Sequence, residues 1–540
     1  MPLSSPQVTF DDRLLAVEEL FRQRQYAAAR RELAELAEAD FARSPHELGL
    51  YLLLTASGCY HDGSYVKSLE FGHKAAKLLA DYPLNRRYGW IQLILSKSYS
   101  ALGDLKNAEI RARDALASFR RASDKTGQVD SLNELARISS IRCDYAAGVE
   151  FLSEAVAMIP GDERKVAQLT GNTGTLRICA GQWSQAEKEL TEALDYNRSN
   201  GHEISQAVNL LSLAYLRIRR RQFILARRHL DNALEIISRL GLKREKVLYL
   251  KFAGELALEK GDLYRAKSFL SDAYHKGVLL APVSALVSQA SRRLAEAELA
   301  LDNVDEAMRW AQKALELSLT VGEKVEVGLS RKVIAQVFAA RGDADEARQN
   351  IDNAVQVLRE VGDPYELART LLVQAEIYSP TEAAERDRIK AALEEARQVF
   401  GELQLDYWSA EADFKAGILA CQLGNLGLGF KKLSQAEKTF STIEEHVHVR
   451  AVHKFLESLS EQAVALSVSS ENEFKVFGSF ISPVELSHVR SGQMEEILEI
   501  LLKRTGGSRA LLVSPQACEA PVVSSFPLST HQAKRFCNAF

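Results

Sequence analysis

The sequence predicts an all-α fold, a solenoid built from about eleven helix pairs, and a repeated residue pattern supports that prediction. An anchor residue, small in ten units and isoleucine in one, returns about every forty positions. An alanine follows seven positions later in ten of the eleven units, and another small residue stands twelve positions earlier in nine. A fixed period of this length indicates one supersecondary unit stacked on its own copies. The anchors are Ala29, Ser68, Ala108, Gly148, Ala186, Ala226, Ala266, Ala307, Ala347, Ile389 and Gly429.

The unit at residues 249–273 shows why each copy should form two antiparallel helices. Apolar residues keep a helical spacing over its first segment, and Gly261 then permits the left-handed cap that ends a helix. Small side chains at Gly254 and Ala266 let the two backbones approach closely, and Leu270 fills the space beside them. The chain is therefore predicted to be a run of antiparallel helix pairs.

Several copies share a turn followed by small and apolar residues at fixed intervals, as in GDLKNAEIRARDA (103–115), GQWSQAEKELTEA (181–193) and GDLYRAKSFLSDA (261–273). This pattern resembles the tetratricopeptide repeat over residues 10–465. The resemblance implies a right-handed superhelix whose first helices line a concave groove for a peptide or protein. The period of about forty exceeds the thirty-four of that family. This difference implies longer helices, as in the arrays of large bacterial signal-transduction regulators.

The domain prediction is an array over residues 1–466, a linker over 467–482 and a C-terminal segment over 483–540. The linker assignment depends on the polar run SVSSEN, which is typical of a connecting segment. Within the array the tenth copy is irregular, because its turn through Ser379-Pro380 gains about two residues. We expect a local kink or register shift there.

The C-terminal segment has a different pattern. A helix is predicted over 483–505, followed by a TGG turn, a strand over 509–514 and a second strand over 521–526. The order in EILLKRTGGSRALLV is similar to the opening of a GAF domain, and the likeness implies a partial GAF-like α/β segment. The chain would then be the front part of a longer protein. The alternative is a cap on the solenoid, whose terminal unit otherwise has an apolar face without a neighbour.

Composition excludes several classes of protein. Apolar residues make up 46% and charged residues 26%, and a formal net charge of −4 gives no general case for binding nucleic acid or a membrane surface. No apolar stretch approaches the length of a membrane span, and the N-terminus lacks a secretory pattern. The six cysteines are far apart and form no CxxC pair. We therefore expect a cytoplasmic protein that contacts no membrane, and we do not expect this segment itself to bind nucleic acid.

The sequence predicts no catalytic residue, no metal site and no cofactor. It contains no GxxxxGK[ST], GxGxxG, GxSxG or HExxH motif. His446, His448 and His453 stand close together, but residues two apart on a helix point to different faces. We interpret these histidines as part of a solvated helix end. The pattern is that of a binding protein and not of an enzyme.

The candidate binding residues lie on the predicted concave face. In the family that the pattern resembles, the first helix of each pair lines the groove. Later copies place a base four residues before an acid, as in Arg292 and Glu296, and we interpret such pairs as a salt-bridged solvated face. Earlier copies offer polar groups suited to an extended acidic peptide or a C-terminal carboxylate. These predicted ligand contacts are Lys97, Asn133, Arg137, Asn172, Thr175 and Tyr215. Glutamate at both 97 and 137 is predicted to abolish binding without unfolding the chain.

Arginines cluster around the turn of the sixth helix pair, where Arg221 takes the place of the usual glycine. Such a patch suggests an anionic partner, either a phosphate group, an acidic protein face or nucleic acid. The alternative is a basic ridge whose charges are offset by acids elsewhere. The patch consists of Arg217, Arg219, Arg220 and Arg221.

Three functions fit these observations. The preferred one is a sensory, protein- or peptide-binding array that controls a bacterial signalling or transcription regulator, because arrays followed by a GAF-like start resemble the N-terminal regions of enhancer-binding activators and multidomain kinases. The second is a stand-alone scaffold or adaptor. The third is a regulatory subunit of an enzyme, for example in a protease-coupled defence system.

Overall fold

The structure is a computed structural model of the 540-residue chain. It describes residues 10–23, 25–38, 44–79, 86–469, 510–513 and 523–526. The chain forms two compact units, residues 1–370 and residues 371–540, which we call unit 1 and unit 2.

Twenty-three helices and two strands are present in the described residues. In the array each odd-numbered helix from α1 to α21 is the first of a pair, and the next even-numbered helix is the second. The helices are α1 Phe10–Arg22, α2 Tyr26–Glu38, α3 Pro45–His61, α4 Tyr65–Leu78, α5 Arg86–Ala101, α6 Leu105–Arg121, α7 Lys125–Ile141, α8 Tyr145–Ala157, α9 Glu163–Cys179, α10 Trp183–Ser199, α11 Glu203–Arg219, α12 Phe223–Leu240, α13 Lys243–Glu259, α14 Leu263–Leu280, α15 Ala285–Ala300, α16 Val304–Val321, α17 Lys324–Arg341, α18 Ala344–Val361, α19 Pro364–Ile377, α20 Ala383–Glu402, α21 Asp406–Gln422, α22 Leu426–Thr442 and α23 His446–Ser469. The strands are β1 Ala510–Val513 and β2 Val523–Phe526.

The predicted helix pairs are confirmed, and their close approach has the predicted cause. A Cβ atom on Gly254 of α13 would lie 2.6 Å from Cγ of Leu270 in α14, so only glycine fits without a shift. In the turn between these helices Gly261 has a φ of 77°, the left-handed region that favours glycine. The Asp262 carboxylate then accepts a hydrogen bond from the backbone N–H of Arg265 at 3.4 Å and caps α14.

Ala266→Phe should lower the free energy of unfolding by about 1–3 kcal/mol, the usual cost of overpacking a close-packed site. Ala266 is fully buried where α14 packs against α13, and a ring there would have to displace its neighbours. Urea unfolding followed by circular dichroism measures the change. The control is Tyr264→Phe on the same helix, because Tyr264 is 81% exposed. An unchanged midpoint for Ala266→Phe would contradict the packing.

The first helices of the pairs form an inner layer in unit 1. Besides packing on its own partner, α3 contacts α5, α5 contacts α7, and α11, α13, α15 and α17 contact one another in turn. No comparable contact joins consecutive even-numbered helices in the described part of the chain. The odd-numbered helices therefore line the concave side of unit 1.

The inner layer curves so tightly that unit 1 meets itself again further along the chain. The contact between Lys243 and Asp62 spans 181 residues, which is between four and five repeats. Early turns between helices pack against segments that follow them by similar numbers of residues in the sequence. Successive contacts of this kind join Asp62 with Lys243, Gly103 with Val283, and Trp183 with Tyr365.

Unit 2 contains the end of α19 and the helices α20 to α23. Leu433 and Phe440 of α22 are fully buried, and Val452 of α23 packs in the same core cluster. The connection between α19 and α20 runs over residues 378–382 and is longer than the three-residue connection between α20 and α21. The irregular turn predicted at Ser379-Pro380 lies in this connection, and the kink itself stays a prediction.

The two strands β1 and β2 lie within the two predicted strand segments. They pair antiparallel, with Ala510 opposite Phe526 and Val513 opposite Val523. The helix α23 extends to Ser469, three residues into the predicted linker. The rest of that linker and the predicted helix over 483–505 lie outside the described residues, so the GAF-like resemblance stays a prediction.

Candidate functional site

Unit 1 encloses a cavity of about 1140 Å³ at the N-terminal end of its inner layer. Its walls come from α1, α2, α3, α5, α7 and α9, together with the turn between α12 and α13 and the end of α14. The volume is that of a large ligand pocket.

One part of the cavity wall is apolar and aromatic. Tyr60, Tyr65 and Trp90 line it together with Leu93 and Ile94. Burial raises the pKa of Tyr65 to about 12 and also raises the pKa of Tyr60, so both phenols keep their protons near neutral pH. Such residues offer a flat apolar surface and a hydroxyl that donates and accepts hydrogen bonds.

Another part of the wall comes from residues much later in the sequence. The Asp62 carboxylate accepts hydrogen bonds from Arg30 and from Nζ of Lys243 at the start of α13, the latter at 3.2 Å. A Cβ atom on Gly63 would lie 2.7 Å from Leu280 at the end of α14, so these two segments touch. The cavity therefore exists only because unit 1 closes on itself.

Two of the six predicted ligand contacts line the cavity, Lys97 on α5 and Asn133 on α7. A third is joined to them, because Nδ2 of Asn172 on α9 donates to Oδ1 of Asn133 at 2.7 Å. Within the part of the chain that the structure describes, the Lys97 ammonium has no ion pair and no hydrogen bond. The structure thus brings an unpaired cation and a linked pair of amides to the same region of unit 1.

The other three predicted contacts lie outside the cavity lining and already have partners. Arg137 pairs with the buried Glu134 carboxylate at 2.7 Å. The Thr175 hydroxyl lies 2.9 Å from Oγ of Ser212, and the Tyr215 ring stacks on a phenylalanine ring of α13 at 5.1 Å. Their role as ligand contacts stays a prediction. A glutamate at 137 would lie beside Glu134 and destabilise the fold, so Lys97 alone is the cleaner substitution.

The four arginines of the predicted anion patch all lie against carboxylates. Arg221 does adopt the left-handed conformation, with a φ of 57°, in place of the usual glycine. An anionic ligand would have to displace carboxylates that already neutralise the patch, so anion binding there stays a prediction that we do not take further. The partners are Glu187 for Arg217 and Arg220, Glu366 for Arg219, and Glu259 for Arg221.

An ionic core fills the inner layer further along unit 1. Arg293, for example, pairs with Glu296 at 2.8 Å and with Glu255, and Arg292 pairs with Glu296 and with Glu326 on the next first helix. We give this name to seven basic and seven acidic residues between α11 and α19. They are Arg219, Arg221, Lys251, Arg292, Arg293, Lys332 and Arg369, with Glu255, Glu259, Glu296, Glu323, Glu326, Asp363 and Glu366.

The burial of this core corrects the prediction of a solvated, salt-bridged face. The predicted pair of Arg292 and Glu296 is present at 2.9 Å. However, Arg292 is only 5% exposed and Glu255 only 4%, because the closed inner layer excludes water from both. Ion pairs across neighbouring first helices add to the predicted pair within one helix.

The ionic core makes stability depend on pH at Glu323, which has no direct cationic partner in the described chain. Burial, together with the nearby carboxylate of Glu326, raises the pKa of Glu323 to about 8. The folded chain therefore holds a proton that the unfolded chain releases near pH 4.5, so stability falls as the pH rises from there through 8.

Glu323→Gln should remove this loss of stability at high pH. At pH 9 the variant should be more stable than the parent by on the order of 1 kcal/mol or more, since one pKa unit corresponds to about 1.4 kcal/mol. At pH 4, below the unfolded-state pKa, Glu323 is largely protonated in both the folded and the unfolded chain, so the two proteins should nearly match. Thermal melts at both pH values measure the difference, and the exposed Glu316→Gln is the control. An equal gain at both pH values would contradict the assignment to Glu323.

Neither the aromatic wall of the cavity nor the wall formed by later residues was predicted from the sequence. Tyr60 and Trp90 stand on first helices but away from the groove positions of the repeat family. A search for aromatic residues on the first helices of the second and third pairs would find them. No local signal marks Lys243 or Leu280, since they reach the cavity only through the closure of unit 1.

Two classes of feature are absent from the described residues. No group of three or more histidine, cysteine, aspartate or glutamate side chains there could hold a metal ion. No helix among them is both long and apolar enough to cross a membrane.

The paired helices and the period of about forty residues make this a helical-repeat solenoid, and the resemblance of its repeats to the tetratricopeptide family stays a prediction. No protein-family model matches the sequence, and no curated protein matches it. Solved structures with a similar fold include a Rap protein complexed with competence and sporulation factor, at 10% identity and a TM-score of 0.38 over 81% of this chain and 99% of that one.

Two further similar structures were solved in complex with peptides. The Rap conjugation gene regulator of plasmid pLS20, in complex with the Phr* peptide, is 15% identical with a TM-score of 0.45, covering 67% of this chain and 98% of that one. NprR in complex with its cognate peptide NprX is 10% identical with a TM-score of 0.46, covering 64% and 97%. Likenesses this distant do not decide what this chain binds.

Proposed function

We propose that this chain is a peptide-binding regulator, not an enzyme, and that the peptide binds in the unit 1 cavity around Lys97, Asn133 and Asn172. The observation that carries the proposal is an unpaired ammonium, that of Lys97, in the same cavity lining as Asn133, whose amide is hydrogen-bonded to Asn172. A peptide backbone alternates N–H and C=O groups, which carboxamides can both donate to and accept from. The aromatic wall suits an apolar side chain of the same ligand.

The output of such a regulator would be a bacterial signalling or transcription process. This part of the proposal is supported by the resemblance to the arrays of bacterial regulators and by the GAF-like segment. A stand-alone adaptor and a regulatory subunit of an enzyme are the alternatives, and both would use the same cavity. The intact mass of the protein in its native host distinguishes the first function, which needs an output domain in the same chain, from the other two.

The binding step is tested with the full chain and a pool of synthetic pentapeptides of mixed composition. The chain is separated from unbound peptide by gel filtration, and retained peptides are identified by mass spectrometry. Lys97→Glu should abolish the retention of peptides that the parent enriches. The substitution replaces the unpaired ammonium with a carboxylate, which would repel a carboxylate of the peptide. The matched control is Lys74→Glu on α4, an exposed lysine outside the cavity lining. Equal enrichment by parent and Lys97→Glu would remove Lys97 from the site.

Hydrogen exchange gives a second readout of the same binding. A peptide that binds the folded cavity stabilises the helices around it, so an enriched peptide should slow exchange in α3, α5, α7 and α9. Trp90 lines the cavity, so the tryptophan fluorescence of the parent should change when the same peptide binds. The Trp90→Phe variant should not show this change. Protection confined to helices that contribute nothing to the cavity lining would contradict binding there.

A further inference from the structure

The charges around the cavity are not balanced. Nine basic and five acidic side chains line it, which leaves an excess of four positive charges. Apolar walls around such a site strengthen the attraction for an anion, because they exclude the water that would screen it. We infer that the cavity takes a short acidic peptide that binds through its carboxylates. This inference rests on the proposed function and specifies the ligand of the same site.

The pairing of the lining residues shows which cations remain for a ligand. Within the described part of the chain, Arg31, Lys97 and Arg164 have no ion pair and no hydrogen bond. The acidic lining residues, in contrast, already have partners, so they offer little to a cationic ligand. Those partnerships are Asp62 with Arg30 and Lys243, Glu18 with Arg86, Asp130 with Lys165, Glu245 with Arg244, and Asp162 with the N-terminus of α9.

The ionic core limits how far the ligand can reach. It begins at Arg219 and continues along the inner layer to α19. Six of its seven basic and six of its seven acidic residues form ion pairs with one another, and Lys251 and Glu323 hydrogen-bond to Gln289 instead. A peptide that continued into this region would have to break buried ion pairs, and nothing there favours one sign of charge. The ligand is therefore confined to the cavity, where the positive excess lies.

Close contacts between early turns and later segments also bound unit 1 at its side. Where the early turns meet later segments the backbones touch, and a Cβ atom on Gly103 would lie only 2.9 Å from the carbonyl oxygen of Val283. On this inference the ionic core and these contacts leave the cavity with one open end. Such a site selects ligands by length as well as by charge.

Three defined pools of pentapeptides test the charge of the ligand on the full chain by equilibrium dialysis. The first contains two Asp or Glu residues and a free C-terminus, the second replaces them with Asn or Gln and an amide, and the third replaces them with Lys. The acidic pool should bind at least about tenfold more tightly than its amide twin, and the difference should shrink as salt is added. Lys97→Gln should reduce acidic binding, while Lys74→Gln should not.

The outcomes separate this inference from the proposed function. If the amide or lysine pool binds as tightly as the acidic pool, peptide binding stands and the anionic ligand is wrong. If no pool binds, both are wrong.

Length is tested with fifteen-residue peptides that contain the same acidic core. They should bind no more tightly than the pentapeptides and leave hydrogen exchange in α15 and α17, which do not line the cavity, unchanged. Tighter binding with new protection in those helices would overturn the one-ended site.

Discussion

Arg219→Ala is expected to destabilise the protein by about 3–5 kcal/mol, the cost of removing one partner from a buried ion pair. The Arg219 side chain is only 3% exposed, and its Nη2 lies 2.9 Å from Oε1 of Glu366. Its Nη1 lies 3.7 Å from Asp363, whose side chain is also buried. Without the guanidinium these two carboxylates would remain in the inner layer without their shared cation.

Two variants separate the charge of Arg219 from its packing. The guanidinium lies between the rings of Tyr215 and Tyr365, at 4.5 and 4.7 Å from their centroids. Arg219→Met keeps much of this packing and removes the charge, so it should lose nearly as much stability as Arg219→Ala. Arg227→Ala removes an exposed arginine paired with Asp231 on one helix and should cost less than about 1 kcal/mol.

The stability that the Arg219 variants lose should depend on pH. Although burial opposes ionisation, Arg219 and nearby cations hold the pKa of Glu366 at about 2, below its ordinary value. This group therefore stabilises the parent above about pH 4.5 and loses that contribution as the pH falls towards 2. In Arg219→Met the carboxylate can be neutralised by a proton instead, so the gap between parent and variant should narrow below pH 5. Urea unfolding at pH 7.5 and pH 4.5 measures the gap, and equal losses at both would contradict a charge effect.

The helix pairs could be predicted from the sequence because their causes are local. Gly254 and Leu270 are only sixteen residues apart, and the turn at Gly261 depends on the conformation of a single residue. Each copy repeats these relations, so eleven weak signals add to one strong prediction. The position of Lys97 and Asn133 on the concave side followed from the same period, since the first helix of every pair lies on that side.

The closure of unit 1 could not be predicted, because it results from a small rotation at each repeat that sums over four to five repeats. No residue near Lys243 signals that it will meet Asp62. The burial of Arg292 follows from the same closure, and a pattern of bases and acids along a helix does not distinguish a solvated pair from a buried one. The positions of residues on the inner face could therefore be predicted from the sequence, whereas their burial could not.

Gly103→Ala is expected to cost about 2–5 kcal/mol, because it combines backbone strain with a clash between two layers of unit 1. Gly103 has a φ of 83°, a conformation that costs an L-residue roughly 1–2 kcal/mol. The new Cβ atom would also lie 2.9 Å from the carbonyl oxygen of Val283 and 3.0 Å from Val321, and overpacking of this kind costs typically about 1–3 kcal/mol. The Val283 carbonyl is backbone and can move away only if the layers separate.

Gly261→Ala is the matched control for the contact between the layers. Gly261 stands in the same GDL sequence, has a φ of 77°, and has no atom within 4 Å of its would-be Cβ. It should therefore show the backbone strain alone, and the difference between the two variants isolates the closure of unit 1. Thermal and urea unfolding of both variants measure this difference. If Gly103→Ala and Gly261→Ala lose the same stability, the layers do not touch at Gly103, and the one-ended cavity that depends on their contact would open to the side.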